Sequence, residues 1–244
     1  MNQGIFATLF FVPLYNGLIA LINVVPGQSA GLAVILLTLI IKLILFPLSK
    51  KSIKTQLAMR RLEPEIEKMK EQYPDKQEQA RQLMKIYKDQ KVNPFAGFLL
   101  ILIQFPVLIA LYQVFQSGLP VVKEVLLYSP SLMVVPSMAF FGIDLTQKSI
   151  ILALLAVITQ FIQFQIVMPP TKPNKDGKSS FQNDLAKSMN VQMKYIFPLI
   201  IFPIAYISSV LGLYFAVGNV LTIIQEVVVR RRLEREHAAQ QKTA

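Results

Sequence analysis

Among the polar side chains inside long apolar runs, seven stand out: Lys42, Thr38, Gln104, Gln160, Gln163, Asn219 and Thr222. Lys42 is the most demanding of them. A cation within a membrane helix costs roughly 2.5–3.5 kcal/mol on insertion scales, so a chain that keeps one supplies water, a partner or a task. Snorkelling toward the interface is the simplest alternative, since about 10 Å separates Lys42 from the end of its run at ~1.5 Å per residue. Thr38 stands one helical turn away on the same face. Gln104 and Gln160 fall about 12 Å from the same membrane side, Thr222 about 10 Å and Asn219 about 15 Å, with Gln163 shallower. Such amides and hydroxyls are unstable against hydrocarbon. Any one of them is explained by a dry interhelical hydrogen bond. The set, with a lysine among them, reads as a water-filled pocket whose chemistry is solvation and charge attraction. Glu226 is read as the i,i+4 partner of Arg230, not of Lys42.

Other chemistries lack their groups. There is no Cys, and the only His, His237, lies in a polar tail. That excludes disulfides and thiolate sites, and argues against His-based hydrolysis or a His metal cluster. No Gly-rich phosphate loop is present. The reading is a protein that is not an enzyme and needs no cofactor or metal.

The elements that position these residues follow from run length. The chain has 244 residues, 53% of them hydrophobic, and five apolar runs suit membrane helices: 31–49, 96–116, 149–168, 194–209 and 211–229. The last two are joined by a tight turn around Ser208–Gly212. Basic residues sort between the connecting segments. Twelve fall in 50–95, five in 169–194 and five in 230–244, against two in 117–148 and none in 1–30; Lys42 completes the 25. By the positive-inside rule, 50–95, the loop 169–193 and the C-terminus face the cytosol, 117–148 is an outer loop, and the N-terminus is outside. The net charge of +11 is then mainly a topology signal and implies no DNA partner.

Residues 1–30 admit two readings. From Pro13 on, Leu14, Leu18, Leu21, Ile22 and Val25 share one helical face and Asn16, Ala20 and Asn23 another. That suits an amphipathic helix lying in the outer interface, ahead of a sixth span. Residues 50–95 read as a cytosolic antiparallel helical hairpin. Ile53, Leu57, Leu62, Ile66, Met69 and Tyr73 form one stripe, Pro74-Asp75 a turn, and Ala80, Leu83, Met84 and Tyr87 a second stripe to bury against the first. Pro64 is expected to kink the first helix or begin a new one, and Asn93-Pro94 to cap the second span. Twelve basic and seven acidic residues suit a self-paired hairpin that favours anionic lipids, or an arm docking over a cavity. The tail 230–244, with Arg230-Arg231-Arg232, is a topology anchor or a contact for ribosomal RNA.

The fold class is thus an all-α integral membrane protein: a five-span bundle with a cytosolic hairpin and an N-terminal interfacial helix. The order and spacing of LIIKLILFPLSKKSIKTQLAMRRLEPEIEKMKEQY (39–73), KIYKDQKVNPFAGFLLILIQFPVLIALYQVF (85–115) and LGLYFAVGNVLTIIQ (211–225) resemble the YidC/Oxa/Alb membrane protein insertases, in a minimal form without a large extracytosolic domain. The resemblance implies a groove in the inner leaflet, open to cytosol and lipid, with a basic residue in its wall and a hairpin that recruits substrate. The basic position falls on Lys42, where the family typically has Arg, and its Thr falls on Thr38. A Tyr often seen in the last span falls on Phe215, after Tyr214. Lysine keeps the point charge but not the fork of donors. The implied activity is insertion and folding of nascent membrane proteins, with Lys42, Thr38, Gln104, Gln160, Gln163, Asn219 and Thr222 lining the groove. Implied partners are nascent chains, the ribosome, a Sec-type translocon and anionic lipids. Met189 and Met193 offer adaptable contacts. A small-solute transporter or channel would show internal repeats and polarity through the full thickness, neither of which is evident. A passive tethering scaffold would leave Lys42 unexplained.

Overall fold

The computed structural model describes residues 4–93, 96–117, 119, 121–167 and 192–243. Among the described residues eight α-helices follow one another: α1 Val12–Val24, α2 Ala30–Ile44, α3 Phe46–Gln72, α4 Lys76–Asp89, α5 Ala96–Ser117, α6 Ile150–Val167, α7 Phe197–Ile207 and α8 Ser209–Thr243. A π-helical turn, Ala7–Phe11, runs into α1, and another, Gln192–Ile196, into α7. Between α5 and α6 a two-stranded antiparallel sheet pairs β1 (Ala139–Phe140) with β2 (Ile143–Asp144).

Among the described residues three stretches are long and apolar enough to cross a membrane: Ala7–Val24, Ile150–Val167 and Ser209–Glu236. The α2–α3 pair meets the same test as a bent unit, and Leu102–Gln116 and Phe197–Ile207 are shorter apolar helices. This is a mostly helical membrane protein whose stretches of spanning length only partly match the five runs read from sequence. The described residues end at Val167 and resume at Gln192, so nearly all of the expected loop 169–193 lies outside them, as do Pro94 and Met189.

Helix α8 is the hub, with α6, α2, α7, α3 and α5 all packed along it. Small residues allow the closest approaches. A Cβ on Gly212 would meet Leu152 Cβ at 3.0 Å and the Ala205 carbonyl at 3.2 Å, so α6, α7 and α8 converge there. The core fills with Leu152, Ala153, Ala156, Ile201, Ala205, Val210 and Leu211 from these helices, and with Tyr15, Leu18, Ile19, Ile22, Val34 and Leu111 from α1, α2 and α5.

Several expected boundaries move. The run 31–49 is not one straight helix. Helix α2 ends at Ile44, and α3 departs at 59° from Phe46. Pro47 explains the break, since it has no N–H to give and its ring clashes with the carbonyl four residues earlier. Pro64, by contrast, neither ends α3 nor starts a new helix; α3 runs unbroken to Gln72. The hairpin stripes are only partly buried against each other. Ile53 and Leu57 pack on Val229 and Leu233 of α8, and Met84 of α4 is exposed. The turn itself forms as expected, with Asp75 capping α4 through its carboxylate on Glu78 N (3.0 Å). Gln79 Nε2 ties the two helices by donating to the carbonyls of Tyr73 (2.7 Å) and Lys70 (3.2 Å). The C-terminal tail continues α8, giving one helix of 35 residues, about 52 Å long.

At the opposite end, the segment after α5 follows α1 residue by residue. Tyr15 OH accepts from Lys123 N at 2.8 Å. Asn16 Nδ2 donates to Leu126 O (2.9 Å), and its Oδ1 accepts from Tyr128 N (2.7 Å). Asn23 Nδ2 donates to Leu132 O (3.0 Å). Beyond α1, Ser29 and Ser137 form a parallel bridge, with Ala30 N and Ser137 N both donating across it (2.9 Å each). Asn16 is thereby buried under this segment, while Asn23 bonds to it and stays exposed. Phe140 then lies over Gly31, where a Cβ would stand 2.2 Å from its ring.

Candidate functional site

Lys42 projects from the last turn of α2, just before the bend, and is half-buried. Its Nζ donates to Thr222 Oγ1 on α8 at 2.8 Å. The Thr222 hydroxyl passes its own proton to Gly218 O at 2.7 Å, one turn back on α8. A chain of donors thus orients Thr222 with a lone pair toward the ammonium. A hydrogen bond to a charged group contributes about 1.5–3 kcal/mol, comparable with the insertion cost of the lysine. Gln225 Nε2 donates to the Lys42 carbonyl at 3.2 Å, which satisfies a backbone group freed where α2 ends. Gly218 gives this contact no wall: Lys42 Cε and Thr38 Cγ2 would lie 3.7 and 3.8 Å from a Cβ there. Thr38 is buried, and its hydroxyl donates within α2 to Val34 O at 2.7 Å.

The remaining candidates distribute around α8. Gln104 on α5 donates through Nε2 to the hydroxyl of Tyr214, which is itself buried. Asn219 points to α6, where its Nδ2 donates to Ala156 O (3.2 Å) and Thr159 Oγ1 (3.1 Å). That is an interhelical bond in a closed seam, the alternative weighed for any single amide. Gln160 is buried on α6. The Gln163 Oε1 is buried without a hydrogen-bond partner among the described residues. The structure therefore joins Lys42, Thr222 and Thr38 in one cluster, places Gln104 with Tyr214 in a second, and turns Asn219 toward α6. Glu226 pairs with Arg230 Nη2 at 2.5 Å, as its spacing implied.

Sequence reasoning passed over Tyr214, Gly218 and Gln225. Their spacing with Thr222 puts all four on one stripe of α8, and that periodicity was the available signal. Phe215 has no hydroxyl; the one at this level of α8 belongs to its neighbour Tyr214 and accepts from Gln104.

Helices α2 and α5 both pack on α8 but not broadly on one another among the described residues. Lys42 and Gln104 thus stand on two walls, with the Tyr214–Gly218–Thr222 stripe between them. A cavity of about 260 Å³ lies elsewhere, at the end opposite the hairpin, lined by Phe115, Gln116, Met138, Leu145, Thr146 and Ser208. Among the described residues no group of His, Cys, Asp and Glu could hold a metal.

This arrangement has counterparts. The 60Kd inner membrane protein family matches residues 21–236. The chain belongs to that family, the YidC/Oxa family. It is 32% identical over 232 residues to a membrane protein insertase YidC of Clostridium tetani, covering 94% of each chain. It is 34% identical over 233 residues to the YidC of Methylobacillus flagellatus and 35% identical over 210 residues to that of Cellvibrio japonicus. In those longer proteins the match spans 37% and 33% of the relative's length. The YidC relatives thus come in two sizes, and this chain corresponds to nearly all of the short one and about a third of the long ones.

Proposed function

We propose that this protein is a membrane protein insertase that accepts nascent membrane proteins at a polar cleft between α2 and α5, with α8 as its floor. The observation that carries this reading is the Lys42 ammonium, held on Thr222 at 2.8 Å inside an apolar bundle in a chain that matches insertases over most of its length. A hydroxyl that merely accepts one hydrogen bond leaves the lysine charge uncompensated. No acidic side chain is bonded to Lys42 among the described residues; Glu226 is taken by Arg230. The ammonium remains attractive to carboxylates of an entering segment.

The mechanism is physical, and no bond is made or broken. A hydrophilic stretch of substrate exchanges bulk water for Lys42, Thr222, Gln104 and the water among them, so it need not cross pure hydrocarbon. Its apolar part then moves along exposed Leu39, Ile40, Leu43, Leu102 and Phe105 into lipid, with about 0.8 kcal/mol gained per buried CH₂. Alignment of acidic segments with the membrane potential adds about 2.3 kcal/mol per charge per 100 mV.

In this reading α3, α4 and the end of α8 face the cytosol and 117–148 the outside, following the distribution of basic residues. Residues 1–30 form the outer interfacial unit, 31–49 the first span, 50–95 the substrate-recruiting hairpin, 96–229 the remaining spans and 230–244 the tail. Placing α1 in the interface rests on its companion segment. The segment 123–137, irregular backbone apart from two single 3-10 turns at Glu124–Leu126 and Pro130–Leu132, bonds to α1 at Tyr15, Asn16 and Asn23, and irregular backbone is excluded from lipid-exposed hydrocarbon. The ribosome, a Sec-type translocon and anionic lipids are the partners that suit the basic hairpin and tail. Insertion of a single-span substrate with an acidic outer segment tests the site. Lys42→Arg should retain insertion and Lys42→Glu should abolish it, and equal insertion by wild type and Lys42→Glu would overturn the role of Lys42.

A further inference from the structure

The β1–β2 hairpin shows a feature that insertion does not use. Its two-residue loop is Phe141-Gly142, with both residues at positive φ, +48° and +79°. Two-residue hairpin loops favour Asn-Gly or Asp-Gly in this conformation. A bulky residue there is an outlier, and its occurrence invites a functional explanation. Phe141 is also 89% exposed, the most exposed of the large hydrophobic residues. It is held out by its neighbour: Phe140 seats on Gly31, and the two rings meet edge-on with centroids 4.8 Å apart. Val24, Val121, Val125 and Val135 on the same end of the molecule are each more than 75% exposed. The segment 121–148 carries two basic and two acidic residues, so no net charge directs it to a charged partner.

We propose that this fringe, with Phe141 at its tip, is a lipid anchor that dips into the acyl–headgroup boundary of the leaflet opposite the basic hairpin. The occupant is lipid because the chain belongs to an inner membrane protein family and the fringe is apolar, exposed and without net charge. Val24 closes α1, and the exposed side chains Leu36, Leu39 and Ile40 of α2 begin one helix further on. Aromatic and apolar side chains at this depth are favoured because the ring is buried while the loop backbone stays at the polar boundary. The anchor holds the covering segment over α1 and α2, and it rests on the reading that the protein lies in a membrane.

The chain has no Trp, so Phe141→Trp introduces a sole reporter at a site where the side chain touches little protein. In proteoliposomes the emission of this variant should be blue-shifted. It should be quenched by phosphatidylcholine brominated near the headgroup end of the acyl chain, more than by deeply brominated lipid, and should resist aqueous iodide. Ile158→Trp, on the exposed face in the middle of α6, should be quenched best by the deeply brominated lipid. Red-shifted, iodide-quenched emission from position 141 beside normal quenching at 158 would overturn the anchor while leaving the membrane reading intact. Absence of bromolipid quenching at both positions would overturn both.

Discussion

At the residue scale, the question is what keeps a lysine inside an apolar bundle. The answer offered by the geometry is one oriented hydroxyl. Thr222→Val keeps the volume and removes the acceptor, leaving the ammonium without a partner. Stability to denaturant in detergent should fall by about 1–3 kcal/mol, while Thr222→Ser should stay close to wild type. The same pair separates stability from function. A substrate carboxylate competes for the ammonium, so Thr222→Val should impair insertion less than Lys42→Glu does. Gln104→Leu should cost a similar amount to Thr222→Val because it strands the buried Tyr214 hydroxyl. Asn219 belongs to a different class. It is bonded within the α6–α8 seam, and Asn219→Ala should lower stability by about 1 kcal/mol without changing which substrates are accepted.

At the element scale, two joints set the shape of the molecule. The first is the bend at Leu45, where α2 hands over to α3. It aims the hairpin helix across α8, so Ile53 and Leu57 pack on Val229 and Leu233. The hairpin is thereby tied to the tail of α8 near its base, whereas α4 keeps an exposed face for a partner. Ile53→Ala and Leu57→Ala should each loosen that base, with a loss of roughly 2–4 kcal/mol where the site is fully packed. Cysteines placed at 53 and 229 should crosslink in the native protein, and failure to do so would contradict the joint. The second is the seat of Phe140 on Gly31. A methyl group there would overlap the ring, so Gly31→Ala should displace the β-hairpin at a cost of about 1–3 kcal/mol and raise protease cleavage within 121–148. The same hairpin is braced by Asp144, which accepts from Thr146 N (2.9 Å) and Thr146 Oγ1 (2.7 Å). These bonds hold its carboxyl below the usual range. A depressed pKa contributes stability above the ordinary carboxylate value of about 4, and the contribution is lost as pH falls through the lower, folded value. Acidification below about pH 4 should therefore loosen the loop in wild type and have less effect in Asp144→Asn.

At the scale of the whole molecule, the sequence carried most of the architecture because membrane helices announce themselves by length and apolarity. The α6 run and the Ser208 break between α7 and α8 appear close to where run length put them. What stayed hidden depends on contacts distant in the chain. Nothing local to Asn16 or Asn23 states that residues 126–132 will bond to them. The stripe of Ile53 and Leu57 is equally consistent with burial against α4 or α8, and only packing chooses. Pro47 and Pro64 look alike in sequence, yet one coincides with a 59° turn and the other lies within a continuous helix. Of the candidate site, the partners of the polar residues were not legible, since Lys42 and Thr222 are separated by 180 positions.

The central claim is that a substrate passes beside Lys42, and the most direct test is contact. A photoreactive amino acid at position 42, in ribosome-stalled translation of a single-span membrane protein, should crosslink to the nascent chain as its acidic outer segment enters, and the adduct should disappear once the span is released into lipid. The same probe at Ile158, on α6, should not capture the acidic segment. A position-42 probe that yields only lipid adducts at every stalling length would contradict the account.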